Sequence, residues 1–168
     1  MTRSHAREIA VHMIFALSFG DFEAEELLAQ QMNHERFEEL APDMPLYSQY
    51  PNEKQEKYIY ALVRGVFGHG YELDDYIARY AKNWNFARIP RMAAAIMRTA
   101  MYEVLYMPDI PNAAAISAAV EIAKNYEPQD VVSFVNGILG TFVRTEFAES
   151  TPPKPEKKQA EESVTEEV

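Results

Sequence analysis

The chain has 168 residues, 48% of them hydrophobic, which suffices for one domain with a core and is short for two. Apolar residues recur at three- and four-residue spacing instead of alternating, and ten prolines outnumber six glycines, so the pattern predicts an all-α protein. The formal charge of −10 opposes a phosphate backbone, and the absence of cysteine excludes a disulfide framework, a thiolate zinc site and a cysteine nucleophile.

The first helix is expected from Ser4, read as its N-cap, to about Phe19, closing at Gly20. Its apolar stripe is Ala6, Ile9, Ala10, Met13 and Leu17 with Ile14 on the flank, while Phe15 points the other way beside Val11 and His12. A second helix spans Glu23 to about Leu40, with a break near Asn33, and offers Leu27, Leu28, Met32, Phe37 and Leu40 to a core. Pro42, Pro45 and Pro51 make residues 41 to 52 a loop. A third helix follows from about Asn52 to Phe67, carrying Tyr58, Ala61, Leu62 and Val66, and Gly65, Gly68 and Gly70 close it. That glycine cluster lacks the lysine and hydroxyl residue of a phosphate loop, so it reads as a turn.

A fourth helix is expected from about Tyr71 to Lys82, and a fifth, apolar nearly all round and therefore central, from Pro90 to Tyr106. The sixth starts at Asn112, read as its N-cap, and the seventh runs from Pro128 to about Phe147. The sequence thus implies a single compact helical domain over residues 1–147, with about seven helices in two sub-bundles, the first three in one half and the last four in the other. From residue 148 the chain holds six acids and three lysines with few apolar residues, which predicts a disordered acidic tail over 148–168. Neither a signal peptide nor an apolar run of membrane-spanning length is read, so a soluble cytoplasmic protein is expected.

Charge is unevenly placed. Residues 21 to 53 hold nine acids and one base, whereas between Tyr76 and Tyr102 the cations Arg79, Lys82, Arg88, Arg91 and Arg98 meet no acidic residue. A set of solvated helix faces and an RNA-facing patch both fit that distribution.

Three blocks carry a family likeness. They are Ala6 to Val11 in the first helix; Trp84, Arg88-Ile89-Pro90, Ile96 to Val104 and Asp109-Ile110-Pro111 in the middle; and Ala113 to Lys124 followed by Phe134-Val135-Asn136-Gly137. In this order, over about residues 3 to 142, they resemble the NusB family. The resemblance implies an all-helical fold without cofactor or enzymatic chemistry. It also implies pairing with NusE, a small-subunit ribosomal protein, and binding of the boxA segment of nascent RNA. That complex acts with RNA polymerase against termination on ribosomal RNA operons, with neither membrane nor DNA as an expected partner.

The resemblance also points to residues. Arg3, His5 and Arg7 surround the start of the first helix, where unpaired backbone N–H groups and the helix dipole favour an anion. Ser4 and His5 stand where the family has an arginine-rich run, and two or three phosphate contacts imply a salt slope of only about −1.4 to −2.1. Asp130 matches an acidic position bordering the family's RNA-facing surface, and Ser133 stands where a lysine is usual. Phe134 fits a core position, by its spacing with Ile138, or an aromatic near the RNA path. Asn136 and Gly137 read as close-packing residues, and Arg98 and Glu103 as structural partners. Phe15 matches an aromatic near the family's NusE interface, against which stands complete coverage of both helix faces by the domain.

An enzyme is the first alternative class. His5, His12, His34 and His69 show no metal-ligand spacing, and no paired catalytic carboxylates or nucleophile motif stands out. A NusB-like domain also begins some ribosomal RNA methyltransferases, but no cofactor-binding domain follows here. The competing reading is an interaction module of NusB fold that has lost boxA binding.

Overall fold

The computed structural model describes residues 1–82 and 84–147, which contain eight α-helices and two short 3-10 turns. The expected acidic tail lies outside the described residues. The chain divides into two compact units, Met1–Gly68 and a second from His69 onward. That boundary falls where the first three expected helices end.

In the first unit, α1 (Arg3–Leu17) packs on α4 (Glu53–Gly68), and α2 (Ala24–Gln31) touches both. Thr2, not Ser4, is the N-cap of α1: its hydroxyl accepts the His5 amide at 3.1 Å. Both residue types cap well, and only the path of the chain selects between them. The helix stops before the expected Gly20, because the Ser18 hydroxyl donates to the Phe15 carbonyl and caps the last turn. Ile9, Ala10 and Met13 of the expected stripe are buried, but so is Val11, so burial of α1 extends past the stripe.

The break near Asn33 is complete. Its amide nitrogen donates to the Ala29 and Gln30 carbonyls and closes α2, while its oxygen accepts the Arg36 amide and opens α3 (His34–Leu40). For this reason the described residues hold eight helices where seven were expected. Phe37 of α3 meets Tyr47 of the first 3-10 turn (Pro45–Tyr47) edge-on at 5.0 Å and Tyr50 at 4.8 Å. Tyr47 also shares a 2.7 Å hydrogen bond with Nδ1 of the half-buried His12. Asn52 and Gln55 bond each other's backbone N–H at 2.9 Å, a reciprocal cap that starts α4. The core face of α4 is Ile59, Leu62, Val63 and Val66, whereas Ala61 is exposed.

Gly68 and Gly70 do not form a left-handed cap. Helix α4 runs through Gly68, one residue interrupts it, and α5 (Gly70–Tyr80) begins, with no positive φ among the described residues. In the second unit α6 (Arg91–Tyr106) is the central helix expected of the fifth segment. It contacts α5, α7 (Asn112–Tyr126) and α8 (Gln129–Glu146) and buries Ala93 through Met97, Thr99 through Met101, Glu103 and Val104 except where Arg98 pairs outward. Thr99 returns its hydroxyl to the Ala95 carbonyl at 2.8 Å, which satisfies it inside the core. The residues before α6, α7 and α8 are Pro90, Pro111 and Pro128; Asn112 is the first helical residue instead of the cap. None of the described helices is long and apolar enough to cross a membrane.

Candidate nucleic-acid interface

The start of α1 carries no acid in its first turn, so its exposed N–H groups and dipole face no competing carboxylate there. His5 is exposed. Arg3 is half-buried with its guanidinium 4.5 Å from the centre of the Tyr58 ring, and Arg7, only 6% exposed, approaches the same ring at 5.8 Å. Tyr58 belongs to α4, and Gln55, one turn earlier, donates its side-chain amide to the Met1 carbonyl. The helix end is therefore fastened to α4 by a polar contact and by two cations held against one aromatic ring. Of the three residues expected here, Arg3 and His5 reach solvent and Arg7 lies beneath them.

Phe15, near the other end of α1, is half-buried and meets Phe19 edge-on at 4.9 Å. Phe19 is 58% exposed, so the aromatic surface is wider than the single residue read from the sequence; Phe22, three residues on, is 43% exposed. Exposed Asp21 and Glu23 lie among these rings in the chain.

In the second unit Asp130 and Ser133 are both exposed at the start of α8. Gln129 bonds Ser133 at 3.4 Å, and the Glu127 carboxyl is held above its ordinary value by burial and then by the charge of Asp130. Phe134 is half-buried and stacks against Trp84 with ring centres 4.5 Å apart and planes tilted by 41°. The core reading of Phe134 is thus only half realised. Asn136 and Gly137 are exposed, and a Cβ at Gly137 would meet nothing within 4 Å, so neither serves close helix packing. The buried face of α8 is instead Val131, Val132, Val135, Ile138, Leu139 and Phe142, a helical stripe that leaves positions 136 and 137 opposite.

The cations between Tyr76 and Tyr102 separate into two kinds. Arg98 pairs with Asp74 at 2.6 Å and Arg79 with Glu146 at 3.0 Å, where the Tyr80 hydroxyl also donates to Glu146. These acids lie outside the segment, which is why the cations in it looked unopposed. Lys82 and Arg88 are exposed, on the stretch that contains Trp84 and the second 3-10 turn (Phe86–Arg88).

The NusB family model matches residues 4–144. The chain belongs to the NusB family. Curated relatives named transcription antitermination protein NusB include that of Symbiobacterium thermophilum, 35% identical over 86% of this chain and 90% of the relative. The Acetivibrio thermocellus relative is 37% identical over 88% and 92%. A solved structure of T. maritima NusB superposes with a TM-score of 0.72 at 26% identity, covering 96% of this chain and 98% of that one.

The NusB family is one of transcription antitermination factors and not of enzymes. Within this member, the family-like blocks divide by burial. Ala115, Ala119, Ala123, Ile96, Met97 and Val104 lie in the core, whereas Asn136, Gly137, Asp130 and Trp84 reach the surface. The first set packs the core of the fold, and the second lies in solvent. In the sequence Trp84 is only a marker of the family, and nothing near Arg3 or Arg7 points to Tyr58, the ring they approach.

Proposed function

We propose that this NusB-family chain pairs with NusE and binds boxA-type single-stranded RNA, as part of the complex that keeps RNA polymerase processive on ribosomal RNA operons. The observation that carries this reading is the family match over residues 4–144. The acid-free start of α1, with Arg3 and His5 at the surface, supports phosphate contacts there, and Asp130, Ser133 and Phe134 offer an edge and a ring to bases. Few surface cations stand at the helix end, so RNA affinity is modest until NusE adds its own contacts. The aromatic surface at Phe15 is the proposed NusE contact, the place of action is the cytoplasm, and DNA is not a partner.

The test is fluorescence anisotropy of a boxA-like RNA with the protein, with and without NusE, at two salt concentrations. Tighter, salt-sensitive binding in the presence of NusE is the expected result. A second reading, an interaction module of the same fold that no longer binds boxA, draws support from the burial of Arg7 against Tyr58. NusE binding without any RNA binding would select it.

A further inference from the structure

The segment that joins α5 to α6 presents an aromatic ring and two exposed cations that the family likeness does not assign to any ligand, beside Phe134 and Asp130 of the proposed RNA edge. Trp84 is the sole tryptophan of the chain and is 39% exposed, although the chain buries most of its large apolar side chains. Its ring rests on Phe134 of α8, which supports it from one side and leaves indole surface to solvent. Lys82 and Arg88 stand exposed within four residues of it. Asp130 lies one helical turn before Phe134 and therefore shares its face of α8.

We propose that Trp84, backed by Phe134, is a stacking platform for a base of single-stranded RNA, with Lys82 and Arg88 engaging the flanking phosphates. This assignment rests on the RNA-binding reading above and adds a site to it. Aromatic faces take any base, because every base has a π-face, and the adjoining cations hold the strand. Charge decides the occupant: in a chain of net charge −10, this stretch has cations and no acid of its own, which suits a polyanion and not another acidic protein surface. Asp130 cannot face a phosphate favourably, but its carboxylate accepts from the exocyclic amino group of a base. The strand is thus oriented with phosphates toward Lys82 and Arg88 and a base edge toward α8.

Hydrogen bonds and burial anchor the backbone that carries the ring. The Trp84 amide donates to the Ala81 carbonyl at 3.1 Å, the Asn85 side chain accepts the Ala87 amide at 3.0 Å, and Ile89 is buried at the end of the turn. A ring braced on Phe134 has less freedom to lose when a base stacks on it.

Because Trp84 is the only tryptophan, its emission reports the site directly. The experiment titrates the full chain with a short labelled boxA-type RNA and with an oligomer of equal length bearing abasic sites, recording RNA anisotropy and tryptophan emission together. Where NusE is needed for binding, the same titration with Trp84→Phe subtracts any emission from NusE. Quenching by the base-bearing RNA beyond that caused by the abasic one is expected, with Trp84→Ala weakening affinity roughly five- to a hundredfold and Trp84→Phe retaining most of it. RNA that binds by anisotropy with unchanged Trp84 emission, and equally well to Trp84→Ala, would overturn the platform while leaving the RNA reading intact. Absence of binding by any RNA, with or without NusE, would overturn both. The emission arm uses the unaltered protein, so a poorly folded variant does not decide the outcome.

Discussion

At the start of α1, Arg3 and Arg7 lie against the ring of Tyr58, whereas between α5 and α6 Lys82 and Arg88 stand in solvent beside an exposed indole. Both regions are cationic in a strongly acidic chain, yet they use charge differently. A guanidinium held on a π-face contributes packing as well as charge, so replacing it disturbs the fold together with any ligand contact. A solvated cation can be replaced with little structural consequence. Position in the sequence therefore says where charge is, and burial says what removing it will do.

The contrast predicts unequal mutational effects. The largest is at Arg7: Arg7→Glu places a carboxylate in a nearly closed position against the electron-rich face of Tyr58 and should lower stability by about 3 kcal/mol, read by urea denaturation. Loss of RNA binding in that variant would accordingly report unfolding unless stability is measured alongside it. A result near zero would mean that the site relaxes and that the two regions are alike.

Next in size is an exposed position of α8. Gly137→Ala should raise stability by about 0.5 to 1 kcal/mol, since it removes backbone freedom in mid-helix and its Cβ meets nothing within 4 Å. A loss in thermal unfolding would restore the close-packing role. For Lys82→Glu and Arg88→Glu, stability should move by less than about 0.5 kcal/mol, while the salt slope of RNA binding shrinks by about 0.7 for each phosphate that is no longer neutralised.

The smallest effect at neutral pH belongs to His12. Burial holds its imidazole below the ordinary value of 6.5, against the opposing influence of Glu8. The unfolded chain therefore takes up the proton more readily than the folded one, so the contribution is fully present above about pH 6.5 and declines on acidification below it. His12→Gln should flatten the difference in stability between pH 7 and pH 5 relative to the parent chain. An unchanged difference would place the acid sensitivity elsewhere.

Much of the helical order was legible. The spacing of apolar residues located the central α6, and the asparagine at position 33 marked a real break. The spacing of Val131 and Val132 with Val135, Ile138 and Phe142 describes the buried face of α8 and leaves Asn136 and Gly137 outside it. Other features depend on contacts across the chain. Nothing near Arg7 in sequence names Tyr58, and nothing near Arg79 or Arg98 names Glu146 or Asp74. Thr2 and Ser4 are equivalent as capping chemistry, so only the hydrogen bond to His5 separates them.

The side chain of Asn33 also governs where an aromatic ring is delivered. A continuous helix over residues 24 to 40 would be a rod of about 25 Å, with Phe37 carried along its axis. By ending one helix and starting the next, a single amide turns Phe37 back onto Tyr47 and Tyr50. A seven-residue helix is too short to persist by itself in water, so α3 derives its permanence from those rings. Replacing that asparagine would therefore do more than fray two helix ends: it would change the direction of the chain on which the aromatic cluster depends for assembly.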